Sequence, residues 1–168
     1  MKAVLISIQP KWVEKIANGK KTLEIRKSRP KLETPFKVYI YCTYGNPKDN
    51  YCLGKRGKVI GEFVCDRIED FSKWEFDYSS LLIHINLDAG TNSDYKFLID
   101  YLKGQKQGYG WHISDLVIYD KPKWLREFKI TGCKGCKDKD TYHCKFHCFG
   151  ERKITRPPQS WCYVEKGE

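Results

Sequence analysis

The chain has 168 residues, of which 31 are Lys or Arg and 21 are Asp or Glu, so its formal net charge is +10. This length is expected to give a single domain with a substantial core, which excludes a miniprotein held together only by disulfides. Every apolar run is far shorter than the ~20 residues of a transmembrane helix, and no signal-peptide pattern opens the sequence. We therefore expect a cytoplasmic protein without a membrane partner.

The first half of the chain predicts a strand, a short helix and two further strands. Residues 4–8 favour the first strand, after which Pro10 suits the first turn of a helix and Gly19 suits its end. The apolar residues between them repeat at helical spacing and are expected to bury one face. Residues 36–43 and 58–65 are rich in β-branched and aromatic residues, which predicts two strands.

The second half predicts a further helix, two strands and a helical turn. Ser93 or Asp94 can cap a helix that ends before Gly104. Residues 113–119 and 160–164 favour strands, and residues 122–128 favour a single helical turn. Short strands with two or three short helices are typical of an α+β domain built around a mixed, barrel-like sheet, and we expect this one domain to span residues 1–168.

The basic residues are concentrated near the two ends of the chain. Residues 1–31 carry nine basic and two acidic residues, and residues 121–156 carry eleven basic and four acidic residues, whereas the middle is mildly acidic. If the two segments meet in space, they form one basic face of the kind that binds nucleic acid through phosphates. The alternative is a soluble protein whose lysines only face water.

Four closely spaced cysteines lie among the basic residues of the C-terminal segment. The pattern is C-x2-C-x7-C-x3-C, formed by Cys133, Cys136, Cys144 and Cys148, and His143 and His147 precede the last two cysteines. Structural zinc sites use four such ligands, and residues 132–150 hold too few apolar side chains to fold by burial alone. The spacing predicts an inserted structural zinc knuckle, with the four cysteines as ligands and either histidine as a substitute. Two disulfides are one alternative, which a reducing cytosol disfavours. A redox pair is another, although a redox C-x-x-C normally opens a helix, whereas this one enters a polar loop.

A basic motif follows the first predicted helix, where residues 19–30 read GKKTLEIRKSRP. In an extended segment Thr22, Glu24 and Arg26 share one face, and Lys21 shares the other with two apolar residues. Those apolar residues should face the core, so Lys21 is expected to be drawn inward, where its pKa would fall and suit nucleophilic or general-base chemistry. The alternative is a structural pair between Glu24 and Arg26 beside solvated lysines.

The sequence at this point resembles the opening of the ASCH domain, a member of the PUA-like superfamily. The run SIQPKWVEKIANGKKTLEIRK contains the motif G-x-K-T-x-E-x-R, which here consists of Gly19, Lys21, Thr22, Glu24 and Arg26. Residues 61–63, 109–113 and 156–161 are similar to segments of small bacterial and phage ASCH proteins. The resemblance spans residues 2–164, and the cysteine-rich segment looks like an insertion into the minimal domain.

The resemblance implies a barrel-like PUA fold with a basic cleft and a role in binding RNA or modified nucleotides. One similar branch consists of amidohydrolases acting on N4-acetylcytidine, which use the motif lysine and a threonine two residues before the arginine. The lysine matches Lys21, whereas Glu24 stands at the position of the threonine. An amidohydrolase or ribonuclease that uses Lys21 and Glu24 is therefore the alternative function.

Aromatic and polar residues further along the chain are candidates for the rim of the cleft. Tyr109, Trp111 and His112 follow a glycine-rich turn, so His112 first and Trp111 second are expected to meet a base. The alternative places Trp111 in the core and makes His112 a hydrogen-bonded residue of a strand. Near the C-terminus, Arg156, Gln159 and Ser160 could contact the ligand or satisfy backbone groups.

These patterns together predict a domain that binds RNA or a nucleotide-like ligand. Phosphate contacts are expected from the motif cations, and Glu24 would orient Arg26 or accept a hydrogen bond from a base. The predicted ligand-binding residues of the motif are Lys20, Lys21, Thr22, Glu24, Arg26, Lys27 and Arg29. DNA or an acidic protein are alternative partners.

Overall fold

A computed structural model describes residues 2–48, 50–71, 100–102, 108–131 and 152–165. The predicted first strand and helix are confirmed as β1 (Lys2–Ile8) and α1 (Pro10–Ala17). Pro10 is suited to the first turn of α1, because its missing N–H would have no partner there. The chain leaves the helix through Gly19, whose φ of +69° is a conformation that glycine adopts without strain.

Seven further strands lie in the described residues, and they form two sheets. They are β2 (Leu23–Arg26), β3 (Phe36–Cys42), β4 (Lys58–Cys65), β5 (Ile68–Asp70), β6 (Tyr109–His112), β7 (Ser114–Lys123) and β8 (Trp161–Glu165). The larger sheet has the order β7-β4-β3-β1-β8, and the smaller sheet has the order β2-β6-β5. β1 and β3 are parallel, and the other pairs are antiparallel.

The expected α+β class is confirmed, but the expected barrel-like closure is wrong for the described strands. No ladder of backbone hydrogen bonds between these strands joins the edges of the two sheets. The chain passes between the sheets at Ile113, after β6, and the sheets share an apolar core instead of a continuous ladder. Trp111 and Tyr109 of the smaller sheet reach the core built on β1 and β3.

The larger sheet is covered on both faces. In β1, Val4, Ile6 and Ile8 enter one core together with α1. Ala3 and Leu5 enter a second core on the opposite face. Both faces of β1 are apolar because both are buried, so the strand lacks the polar alternation of a half-exposed strand.

The second core is covered by the segment that follows β7. Leu125 and Phe128 of this segment are buried there, beside a short 3₁₀ helix at Leu125–Glu127 that matches the predicted helical turn. Residues 10–17 and 125–130 therefore lie on opposite faces of the larger sheet. These two parts of the basic segments do not share a face of the sheet.

The remaining predicted elements fall partly outside the described residues. Residues 100–102 are helical and match the end of the predicted second helix, whereas its proposed caps, Ser93 and Asp94, lie outside the described residues. The final strand is confirmed as β8. The zinc-knuckle segment at residues 132–150 also lies outside the described residues, apart from its flanks. In the part of the chain that the structure covers, no helix has the length and apolar character needed to span a membrane.

Candidate functional site

Three charged residues of the basic motif form a buried network between the two sheets. Lys21, Glu24 and Arg26 are only 6%, 6% and 7% exposed. Lys21 Nζ lies 3.2 Å from one carboxylate oxygen of Glu24, and Arg26 Nη2 lies 2.9 Å from the other. We call these three residues the buried triad. Glu24 pairs with two cations at once, which offsets the large cost of removing all three charges from water.

The local backbone explains how Lys21 reaches Glu24. β2 begins only at Leu23, so Lys21 lies in the turn that follows α1 and is not bound by the alternation of the strand. Its amide donates to the Lys15 carbonyl oxygen at 3.1 Å, and its Nζ donates to the Leu23 carbonyl oxygen. The predicted burial of Lys21 is confirmed, but its expected place on the face opposite Glu24 is wrong.

The apolar residues of β2 also face a different core from the one expected. Leu23 and Ile25 pack with Phe71 and Leu102 in a small cluster on the outer face of the smaller sheet. The opposite face of β2 carries Glu24, which is paired in register with Trp111. The charged side of the motif, and not its apolar side, therefore faces the interior between the sheets.

Arg26 connects β2 to β1 and to the residue that precedes β8, at one end of the larger sheet. Its Nη2 donates to the Ser7 carbonyl oxygen at 2.6 Å, and its Nη1 donates to Ser160 Oγ at 3.4 Å. Ser7 Oγ in turn donates to the Pro158 carbonyl oxygen at 2.6 Å. Arg26 thus holds β2 against β1 and the approach to β8, and its ion pair with Glu24 matches the structural pair given as the alternative. The expected phosphate contact by Arg26 stays a prediction. Sequence reasoning missed Ser7, since a lone serine in an apolar strand carries no signal.

The surroundings of Lys21 act on its pKa in opposite directions. Burial lowers the pKa of Lys21 below its ordinary value of 10.5, and nearby Arg26 and Lys15 lower it further. Glu24 opposes this change because an adjacent carboxylate stabilises the ammonium form. The ring of Trp12 lies 5.7 Å from Lys21 Nζ. The site combines a partly desolvated amine and a carboxylate, which are the groups that proton transfer requires.

The other cations of the motif are exposed around the buried triad. Lys20, Lys27 and Arg29 face solvent, whereas Thr22 is half-buried. Lys27 Nζ lies 4.9 Å from the centre of the Tyr101 ring, and the Arg29 guanidinium lies 5.8 Å from that of Tyr109. An open pocket of about 820 Å³ begins at Arg29 and is lined by residues 29–34 and Ile68. We call Lys20, Lys27 and Arg29 the exposed basic rim.

The expected position of Trp111 at a cleft mouth is wrong. Trp111 is fully buried and packs against Phe36 and Trp161, with ring centres 5.9 Å apart in each pair. Its register opposite Glu24 directs it into the core between the sheets. Tyr109 is also mostly buried. These two aromatic side chains support the site from within.

His112 adopts the alternative that the sequence left open, a hydrogen-bonded residue within its strand. Its Nδ1 lies 2.6 Å from Asp66 Oδ1, and its side chain is 20% exposed. The sequence did not single out Asp66, because the residue lies in the short connection between β4 and β5. Near the C-terminus, Ser160 reaches the buried triad through Arg26, whereas Arg156 and Gln159 face solvent.

The described residues contain no group of three His, Cys, Asp or Glu side chains that could hold a metal ion. The predicted zinc ligands, Cys133, Cys136, Cys144, Cys148, His143 and His147, lie outside this part of the chain. Among the described cysteines, Cys42, Cys65 and Cys162 are buried free thiols. Burial raises the pKa of each of these three to about 12, so they are poor nucleophiles at neutral pH.

The buried triad predicts an ordered series of stability losses. Glu24→Gln leaves two buried cations without their carboxylate, and we expect it to lower the free energy of unfolding by about 3–5 kcal/mol. Lys21→Met removes one desolvated charge and keeps the pair between Glu24 and Arg26, so it should cost much less. Urea unfolding monitored by circular dichroism measures both variants, and an equal or larger loss for Lys21→Met would contradict this account.

Comparisons with known proteins agree with this fold. A family model for the ASCH domain matches residues 6–148. A crystal structure of ASCH from Zymomonas mobilis matches with a TM-score of 0.60 and 21% identity, covering 98% of this chain and 88% of that chain. A crystal structure of a tyrosine-to-phenylalanine mutant of ZmASCH gives the same score and identity, over 99% and 92% of the two chains.

The structural matches, at this identity, show a shared fold alone. A search of curated proteins finds no match. The match to the family model covers most of the chain, including α1 and every residue of the G-x-K-T-x-E-x-R motif. The chain therefore belongs to the ASCH domain family.

Proposed function

We propose that this ASCH domain binds RNA or a nucleotide-containing ligand at the exposed basic rim beside the buried triad. The observation that carries the proposal is the arrangement of Lys20, Lys27 and Arg29, which are exposed next to a buried network of paired charges. Two of these cations lie over aromatic rings. Membership of the ASCH family, whose domains are generally proposed to bind RNA, supports a nucleic-acid ligand.

The residues of the motif divide into two roles in this proposal. The exposed rim provides phosphate contacts, because its cations face solvent and can release counterions on binding. The triad positions the rim: Arg26 is already bonded to Ser7 and Glu24, so it holds β2 in place and does not reach the ligand. The pocket that begins at Arg29 offers space for a base or sugar next to these phosphates.

Binding to nucleic acid should depend on the rim and on salt. For a fluorescein-labelled single-stranded RNA, we expect Lys27→Ala with Arg29→Ala to weaken binding and to reduce the salt slope by about 0.7 for each phosphate that the variant no longer neutralises. Lys48→Ala is the matched control, since Lys48 is an exposed lysine in the loop between β3 and β4. Fluorescence anisotropy over a salt series measures both quantities, with duplex RNA and DNA in parallel. Absence of binding by the unmodified protein at low salt would overturn the proposal.

An enzyme acting on a modified nucleoside or on RNA is the second candidate. The observation in its favour is the lowered pKa of Lys21 together with the 3.2 Å contact to Glu24. Glu24 stands where the similar amidohydrolases carry a threonine, so a hydroxyl nucleophile is missing from that position. In this chain Lys21 would act as the base or nucleophile, with Glu24 as its proton partner.

Catalysis by Lys21 predicts a loss of turnover without a loss of binding. Only the neutral amine can accept a proton, so the rate should rise with pH through the lowered pKa of Lys21 and level off above that pKa. We expect Lys21→Ala to abolish turnover of N4-acetylcytidine or of an RNA strand, whereas Lys48→Ala, a change at an exposed lysine between β3 and β4, should leave the rate constant nearly unchanged. If the purified protein releases no product from either substrate, the enzyme candidate is wrong.

We propose that Cys133, Cys136, Cys144 and Cys148 bind a structural zinc ion, with His143 or His147 as substitute ligands. The described flanks suit a short closed insertion. The amide of Ile130 donates to the Arg152 carbonyl oxygen at 2.7 Å, and Lys129 forms a bridge with Lys153. The two flanks of the cysteine-rich segment are therefore held side by side, which suits a compact insertion between them.

The zinc proposal predicts one metal ion for each chain. Native mass spectrometry should show one bound Zn²⁺, which a chelator removes, and removal should lower the thermal unfolding temperature because metal binding contributes folding free energy. Cys133→Ser should bind zinc more weakly, whereas Cys162→Ser, a change at a buried thiol in β8, should retain the ion. A folded protein purified with zinc present but without bound metal would contradict the assignment.

A further inference from the structure

A second basic and aromatic surface lies at the end of β7. Trp124 is 51% exposed, and its ring centre lies 4.8 Å from Lys58 Nζ and 5.8 Å from the Arg126 guanidinium. Lys123 is also exposed, and its Nζ lies 4.7 Å from the centre of the Tyr119 ring. We call the side chains of Lys58, Lys123, Trp124 and Arg126 the Trp124 surface.

Folding accounts for the neighbours of Trp124 but not for Trp124 itself. Leu125 and Phe128 are buried in the second core, as expected for the apolar residues of a covering segment. Trp124 precedes them and leaves half of its large apolar surface in water, which forgoes much of the stabilisation that burial would provide. An exposed tryptophan beside two cations is a feature that binding sites use.

Protection of a sheet edge explains only part of this surface. β7 is an edge strand of the larger sheet, and Lys121, Pro122 and Lys123 discourage pairing with another chain. Neither that role nor solubility requires an aromatic residue at the next position. Edge protection thus explains the lysines. It does not explain the exposed ring of Trp124, which we attribute to binding.

The carboxylates near the Trp124 surface are already engaged. Glu62, on the neighbouring strand β4, lies 2.6 Å from Lys37 Nζ and accepts a hydrogen bond from the Tyr119 hydroxyl. Glu127 accepts a hydrogen bond from the backbone amide of Trp124. Glu127 keeps its negative charge, but the three cations Lys58, Lys123 and Arg126 outnumber it. The net positive charge of this group is complementary to a polyanion that also carries flat rings.

We propose that the Trp124 surface binds single-stranded nucleic acid, with one base stacked on Trp124 and the adjacent phosphates at Lys58, Lys123 and Arg126. An exposed cation–π contact contributes less binding free energy than a nucleic-acid base stacked on the same ring. The flexible Lys58 side chain can therefore leave the ring for a phosphate when a base takes its place. Duplexes keep their bases stacked inside, so the ring selects single strands.

This surface is separate from the exposed basic rim. The rim follows α1, which covers one face of the larger sheet, whereas Trp124 begins the segment that covers the other face. The proposal shares with the proposed function only its class of ligand. The two surfaces can therefore be tested by variants that do not contact one another, and their effects should be additive.

The test uses the full chain and a fluorescein-labelled oligouridylate of about eight nucleotides, a length within the range of single-strand sites. We expect Trp124→Ala to weaken binding by about fivefold or more and Trp124→Phe to recover most of the affinity, because the phenyl ring can still stack. Lys58→Ala and Arg126→Ala should each reduce the salt slope by about 0.7.

Lys2→Ala is the matched control, because Lys2 also lies over an aromatic ring, at 5.7 Å from Tyr163, but at the opposite end of the larger sheet. It should bind the oligonucleotide as the unmodified protein does. Thermal unfolding of each variant confirms that it folds, as expected for exposed positions.

The outcomes separate this inference from the proposed function. Unchanged affinity in Trp124→Ala, with weaker binding in the variant that lacks Lys27 and Arg29, overturns the Trp124 surface and leaves the basic rim supported. The reverse pattern supports the Trp124 surface and overturns the rim. Equal affinity for a duplex and a single strand overturns the stacked base, and no binding at low salt by the unmodified protein overturns both proposals.

Discussion

The arrangement of this domain depends on one buried carboxylate. Glu24 lies between Lys21 and Arg26, and without it two cations would remain in the interior with little solvent. Arg26 extends the network to the Ser7 carbonyl oxygen and to Ser160, so the same charge that neutralises Lys21 also fixes β2 to β1 and to the approach to β8. The buried triad is therefore a fold-stabilising contact and, at the same time, the polar centre of the candidate site.

A second constraint is that the larger sheet is apolar on both faces. β1 and β3 need cover on each side, which α1 and the smaller sheet provide on one face and the segment after β7 provides on the other. Each covering segment brings its own basic residues. The basic residues of these described segments are therefore divided between two surfaces, and net charge alone does not reveal that division.

Sequence reasoning succeeded where local composition decides the structure. The runs at β3 and β4 are rich in β-branched and aromatic residues, and Pro10 and Gly19 mark the limits of α1. It failed where the choice of face is made by distant segments. The alternation in β2 predicts which residues share a face, but it does not predict which core each face contacts. The position of Lys21 and the burial of Trp111 depend on packing between the two sheets.

The same limit explains why the two surfaces differ in how readily a sequence reveals them. The exposed basic rim belongs to a contiguous motif, so spacing alone suggested a site. The Trp124 surface joins residues of β4, β7 and the following turn, with Lys58 and Trp124 distant in sequence. Only the antiparallel pairing of Val59 with Lys123 brings them together. A binding surface formed by strand register cannot be found by searching for sequence motifs. The exposed side of a covering segment can carry such a surface because its residues do not contribute to the core.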